Sequence, residues 1–182
     1  MMTLERKDSA RSLQVNVVSD DSVIVAGYAS VFGIEDKGGD VVMAGAYARA
    51  LNALKANGGG VKMLWQHDAT QPIGEWDTVN EDAHGLFVSG RLLTDVAKAR
   101  EAAALLGAGA IDGLSIGYRT VTASKNAKGQ RMLSDLELWE VSLVTFPMLP
   151  EARVTAKSEG LPLLGSCAYA EALRRAQQQL AT

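Results

Sequence analysis

The stretch Asp112-Gly113-Leu114-Ser115-Ile116-Gly117-Tyr118 constrains this chain more than any other. Read at the two-residue period of a strand, Leu114, Ile116 and Tyr118 share one face, and Gly113, Ser115 and Gly117 share the other. Ser115 is then a lone side chain on its face. A glycine inside a strand packs nothing and costs stability, so it tends to mark a place where a backbone or a ligand comes close. Two of them leave the serine hydroxyl uncovered and its backbone approachable, as a nucleophile attacking an extended peptide requires. The plain alternative is a bulge or turn carrying a small polar residue.

The rest of the chain supplies a mainly β setting. Residues 1–12 read as a polar start, and Leu13, Val15 and Val17 alternate as in a strand. A turn at Ser19 to Ser22 leads to a second strand over Val23 to Phe32. Residues 33–40 form a polar loop. Its carboxylates lack the ligand ladder of a calcium loop, so it reads as a solvated turn. Helical spacing over Ala44 to Ala56 predicts a helix, stopped by Asn57 and the glycines after it. Val61, Met63, Trp65 and His67 then fall on one strand face, so His67 continues an apolar row. Gln71-Pro72 breaks the run before a strand over Ile73 to Val79. Asn80 to Gly85 connects that strand by a hairpin to Leu86 to Leu93, with His84 in the connection. Thr94-Asp95 opens a second helix over Val96 to Leu106. After the serine stretch, residues 124–129 turn, and a long β-like run covers Arg131 to Phe146. About seven strands and two main helices, joined mainly by hairpins, point to an antiparallel barrel or sandwich decorated with helices.

The character changes after Val154. Lys157 to Pro162 reads as a linker, and Ser166 to Leu180 as a short helix. We therefore divide the chain into a main domain over 1–155 and a linker with a helical tail over 156–182. The net charge of −3 gives no electrostatic case for nucleic acid or an anionic membrane. No apolar run is long enough for a membrane span, and the charged N-terminus lacks a signal-peptide core. Cys167 is the single cysteine, which excludes an internal disulfide and argues against a cysteine-based metal site. No cofactor and no metal is expected, and the default compartment is a reducing cytoplasm.

Glu140 lies inside the apolar run Leu136 to Val144, where alternation places it with Leu136, Leu138, Ser142 and Val144. A buried carboxylate without a partner is costly. Arg119 or Arg153 would serve as a purely structural partner, and a histidine as a functional one. A serine hydroxyl is a weak nucleophile until an imidazole takes its proton, and the imidazole works best when a third group orients it. His67, Ser115 and Glu140 are the residue types such a relay needs, in three separate β segments.

Four blocks carry a family resemblance in order: Gly27 to Phe32, Leu64 to Asp68, Gly113 to Tyr118, and Glu140 to Pro147. Together they resemble the prohead (procapsid) maturation proteases of tailed bacteriophages, over residues 22 to 154. The resemblance implies a fold related to the herpesvirus assembly proteases, an antiparallel β-barrel of about seven strands surrounded by helices. It implies a serine endopeptidase with His67 as general base and Ser115 as nucleophile. It places Glu140 at the acidic position that orients the histidine, where herpesvirus relatives use a second histidine. Asp68, Asp112 and the loop residue His84 stay open for that third role. The implied substrates are the major capsid protein with its scaffolding segment or a separate scaffolding protein, and the protease itself, inside the procapsid in the host cytoplasm. The implied assembly is a homodimer or higher homo-oligomer, with no nucleic acid and no membrane. The linker would suit self-cleavage, and the tail helix docking to scaffold. Competing readings are a catalytically inactive capsid-assembly or scaffold-like protein of the same fold, and an amidase or esterase. The latter lacks the strand-turn-helix elbow expected of it. Cys167 is a weaker nucleophile candidate, with no histidine near it in sequence.

Overall fold

The computed structural model describes residues 17–18 and 22–154. The expected polar start, the Leu13 to Asn16 part of the first expected strand, Cys167, the linker and the tail helix lie outside the described residues.

The spine of the fold is β8 (Arg131–Val144). Along one side it pairs with the antiparallel β7 (Gly113–Lys125). Along the other it takes two short parallel strands at its two ends: β3 (Asp40–Val42) opposite Arg131 to Leu133, and β4 (Lys62–Trp65) opposite Glu140 to Leu143. The sheet continues from β4 through β5 (Asp68–Glu81) and β6 (Gly85–Leu92) to β2 (Ser22–Val31) and β1 (Val17–Val18), each pair antiparallel. Helix α1 (Ala48–Ala56) lies between β3 and β4, and α2 (Ala97–Gly107) between β6 and β7.

The fold is mainly β with two helices among the described residues, as expected, but it is not an antiparallel barrel of seven strands. The described sheet has eight strands, is mixed, and does not close strand to strand. Among the described residues β2 and β7 form no ladder with each other; each makes an isolated bridge to the segment after β8, Gly27 to Val154 and Gly113 to Arg153. The reason is the crossover through α1. A helix between β3 and β4 lets the chain return in the same direction, which a hairpin cannot do.

One apolar core joins the helices to the sheet. Ala50 and Leu51 of α1 and Ala99, Ala102 and Leu106 of α2 pack with Met63, Ile73, Leu86, Val88, Leu136, Val141 and Leu143. Each large apolar side chain fully buried here contributes about 1.5–3 kcal/mol of transfer free energy. Helix α1 begins at Ala48, four residues later than its spacing predicts, after turn bonds from Ala46 N–H to Met43 O and from Ala48 N–H to Gly45 O. Its entry is satisfied from another element: the Glu81 carboxylate accepts the N–H groups of Gly45 and Tyr47, which also suits the positive end of the helix. Thr94 and Asp95 do not cap α2. The residue before the helix is Val96, with extended backbone and no side-chain cap bond. Pro72, expected to break a strand, sits inside β5 opposite Leu64, where the β4–β5 register is irregular. Among the described residues no helix is long and apolar enough to cross a membrane.

Candidate active site

Strand β7 keeps the alternation read from its sequence. Leu114, Ile116 and Tyr118 pair with Leu143, Val141 and Leu138, all on the core side. Gly113, Ser115 and Gly117 pair with Val144, Ser142 and Glu140 on the opposite side. Both glycines stand where something comes close. A Cβ on Gly113 would meet Val144 O at 2.6 Å and Pro147 Cδ at 2.8 Å. A Cβ on Gly117 would meet Glu140 Oε1 at 2.0 Å, so the Glu140 carboxylate lies over the bare Gly117 backbone.

Strand β8 does not keep simple alternation. The register shifts between Gly117 and Tyr118, whose partners are Glu140 and Leu138, and Trp139 is the extra residue. This bulge changes the phase of the strand by one. Leu136 and Leu138 on one side of it and Val141 and Leu143 on the other all face the core. Glu140 therefore does not share a face with Leu136 and Leu138, as unbroken alternation predicts. It shares one with Ser142, toward Ser115.

His67 is not on a strand. It follows Gln66 in the two-residue loop between Trp65 and Asp68, which pair with each other. Gln66 and His67 have φ of 53° and 61°, the only positive φ values among the described non-glycine residues. A two-residue hairpin loop with both φ positive has the twist that matches its strands, at a cost of about 1–3 kcal/mol per strained residue. Strand β8 holds this loop in place. Gln66 N–H donates to Leu143 O at 2.9 Å. His67 N–H donates to Ser142 Oγ at 3.1 Å. The Gln66 amide donates to Thr145 Oγ1 at 2.8 Å and accepts the Thr145 N–H at 3.3 Å.

So placed, His67 Nδ1 lies 2.5 Å from Glu140 Oε1. The other carboxylate oxygen, Oε2, accepts the Ser142 hydroxyl at 2.6 Å. Glu140 is 8% exposed and Ser142 is fully buried, whereas the imidazole is 41% exposed. Ser115 sits directly across the ladder from Ser142, on the face that carries the Glu140 carboxylate. It also lines a cavity of about 120 Å³ with Ser30, Ile34, Asp36, Asp40, Ile116 and Met148.

The competing partners are engaged elsewhere. Arg119 pairs with Glu137 and Arg153 with Asp112. Asp68 accepts the hydroxyl and the backbone N–H of Thr70, which hold its carboxyl below the usual range. The His84 ring packs edge-on against Tyr28 in the β5–β6 connection. Sequence reasoning missed Ser142, Gln66 and Thr145. Ser142 and Thr145 stand in the motif block after Glu140, but only the structure reveals that they grip the histidine loop. Among the described residues no group of three or more His, Cys, Asp or Glu is placed to hold a metal ion.

The family model for caudovirus prohead serine proteases matches residues 11–163. The prohead protease of Enterobacteria phage HK97 is 32% identical over 136 residues, which cover 73% of this chain and 59% of that relative. The chain thus spans about three-fifths of the length of the curated relative it matches. Among solved structures, the bacteriophage T4 capsid assembly protease aligns with a TM-score of 0.55 at 12% identity, over 68% of this chain and 82% of that one. That likeness is one of fold. The varicella-zoster virus protease aligns with a TM-score of 0.44 at 14% identity, over 74% of this chain and 63% of that one.

Proposed function

The chain belongs to the caudovirus prohead serine proteases, and on that premise we propose that it is a serine endopeptidase of procapsid maturation in which Ser115 is the nucleophile, His67 the general base and Glu140 the group that orients the imidazole. The observation that carries this reading is the contact of His67 Nδ1 with a buried carboxylate on the face of the sheet where Ser115 stands.

With Nδ1 held by Glu140, Nε2 is the nitrogen left for proton transfer. It takes the Ser115 proton as Oγ attacks a peptide carbonyl, and the imidazolium is stabilised by Glu140. Nε2 then returns the proton to the leaving amine, and water repeats the sequence on the acyl-enzyme. Backbone N–H groups beside Ser115 are the donors for the oxyanion, each contributing about 3 kcal/mol. Beyond Leu114, whose N–H donates to Ala152 O at 2.8 Å, the β7 backbone pairs with β8 alone among the described residues. Its other edge borders the cavity that Ser115 lines. An extended substrate adds to that edge through main-chain hydrogen bonds.

The substrates in this reading are the major capsid protein with its scaffolding segment, and the protease itself, inside the procapsid. The catalytic unit is residues 1–155. Residues 156–182 are a linker and tail, removed by self-cleavage or docked to scaffold, and the working form is a homodimer or higher homo-oligomer. Co-expression of the cognate capsid protein with Ser115→Ala tests the assignment. The expected result is unprocessed capsid protein at full length, with the variant still folded. Unchanged processing would overturn the nucleophile, and with it the serine mechanism.

A further inference from the structure

Ser142 is fully buried, and both of its hydrogen bonds go to the groups that hold the imidazole. We infer that Ser142 is a positioning residue of the proteolytic site, fixing the direction of every hydrogen bond around His67 so that Nε2 carries the free lone pair. This deepens the proposed function and rests on it.

One group in this ring of hydrogen bonds has no choice of direction. A peptide N–H can only donate. The His67 N–H points at Ser142 Oγ, so that oxygen accepts. A hydroxyl has one proton and two lone pairs. With a lone pair given to His67, the Ser142 proton goes to Glu140 Oε2, 2.6 Å away. Oε2 must then accept, as either oxygen of a carboxylate does. Its other oxygen, Oε1, accepts in turn, and the group facing it is His67 Nδ1. A neutral imidazole carries one N–H. Placed on Nδ1, it leaves Nε2 basic. His67 thus opens and closes the ring of hydrogen bonds, and its own backbone sets its own tautomer through Ser142 and Glu140.

Register makes the same residue central. Ser142 is the cross-strand partner of both Ser115 on β7 and Leu64 on β4, three residues before His67. Without its hydroxyl, the strained histidine loop loses one of its anchors on β8. Oε2 of Glu140 also loses its donor, and the carboxyl is free to rotate. A residue that only filled the space between Ser115 and the histidine loop would leave the tautomer untouched.

The test uses the full chain, with the cognate capsid protein as substrate. Ser142→Ala is expected to lower kcat by about 10- to 100-fold, the usual effect of removing a group that orients a functional histidine, with little change in KM. Ser142→Cys, which keeps a weak donor at nearly the same size, falls between. Nitrogen-15 NMR of histidine-labelled Ser115→Ala is expected to show a protonated Nδ1 that is lost in Ser115→Ala/Ser142→Ala. An unchanged kcat, an effect on KM alone, or a retained Nδ1–H signal would each overturn the proposal. If the alanine variant does not fold, the cysteine variant takes its place in the kinetic measurement, and an unchanged kcat or an effect on KM alone overturns the proposal. Cleavage that persists in Ser115→Ala defeats the underlying serine mechanism. Full activity of Ser142→Ala beside a dead Ser115→Ala defeats only the positioning role.

Discussion

Asp40 and Glu140 are both 8% exposed, and both sit along β8, one near each end. Their partners differ. Asp40 receives Arg131 Nε at 2.6 Å, Arg131 Nη2 at 2.5 Å and the Tyr118 hydroxyl at 2.9 Å. The Arg131 guanidinium holds the Asp40 carboxyl below the usual range. Burial, followed by the hydrogen bond to Asp40, pushes the Tyr118 phenol up to about 12. Arginine keeps its proton at any working pH, so this cluster is a fixed charge pair that ties β3 and β7 to the start of β8. Glu140 has instead an imidazole and a hydroxyl. Neither is a permanent cation. Two carboxylates with the same exposure on one sheet thus do different work, and the identity of the partner decides which.

The comparison breaks most visibly at Glu140. Glu140→Gln keeps the shape but presents an amide N–H₂ to one of two donors, Nδ1–H or the Ser142 hydroxyl. We expect kcat to fall by about 10²- to 10⁴-fold, with a melting temperature close to that of the parent. Steady-state kinetics beside a thermal melt checks both. Gly117→Ala comes next. Its Cβ would stand 2.0 Å from Glu140 Oε1, so the carboxylate must move. A displacement of that order costs about 10²-fold in rate, again read from kcat. Asp40→Asn sharpens the contrast from the other side. It removes a charge-assisted network and is expected to cost about 1–3 kcal/mol in denaturant unfolding. The smallest effect is in acid. Because folding depresses the Asp40 carboxyl, its contribution is present above the ordinary aspartate value. It is lost as pH falls through the lower folded value. The stability gap between parent and Asp40→Asn therefore narrows below about pH 4, as paired melts would record.

Much of this arrangement is legible in the residues. The glycines flanking Ser115 imply close neighbours, and the structure supplies Val144 and Pro147 at one and Glu140 at the other. The alternation of β7 and the apolar faces of both helices are read from local spacing, because each is a local property. The phase of β8 is not, since the bulge at Trp139 appears only when β7 is laid beside it. His67 extends an apolar alternation that stops at Trp65, and long-range bonds from Leu143, Ser142 and Thr145 hold the backbone there in a turn. Strand β3 escapes notice at the end of the polar loop read over 33–40, because three residues paired to a distant strand leave no periodic signal.

The parallel pairing of β4 with β8 carries one more consequence, for the order of assembly. Ser115 and Glu140 lie on the two arms of a single hairpin, which closes over a short loop. His67 is 73 positions from Glu140 along the chain and reaches it only where β4 docks on β8. Contacts between distant parts of a chain carry a larger closure entropy and form more slowly than hairpins. A newly made chain can therefore hold the serine and the carboxylate side by side while the imidazole is still elsewhere. The imidazole reaches the carboxylate only once these two distant strands have found each other.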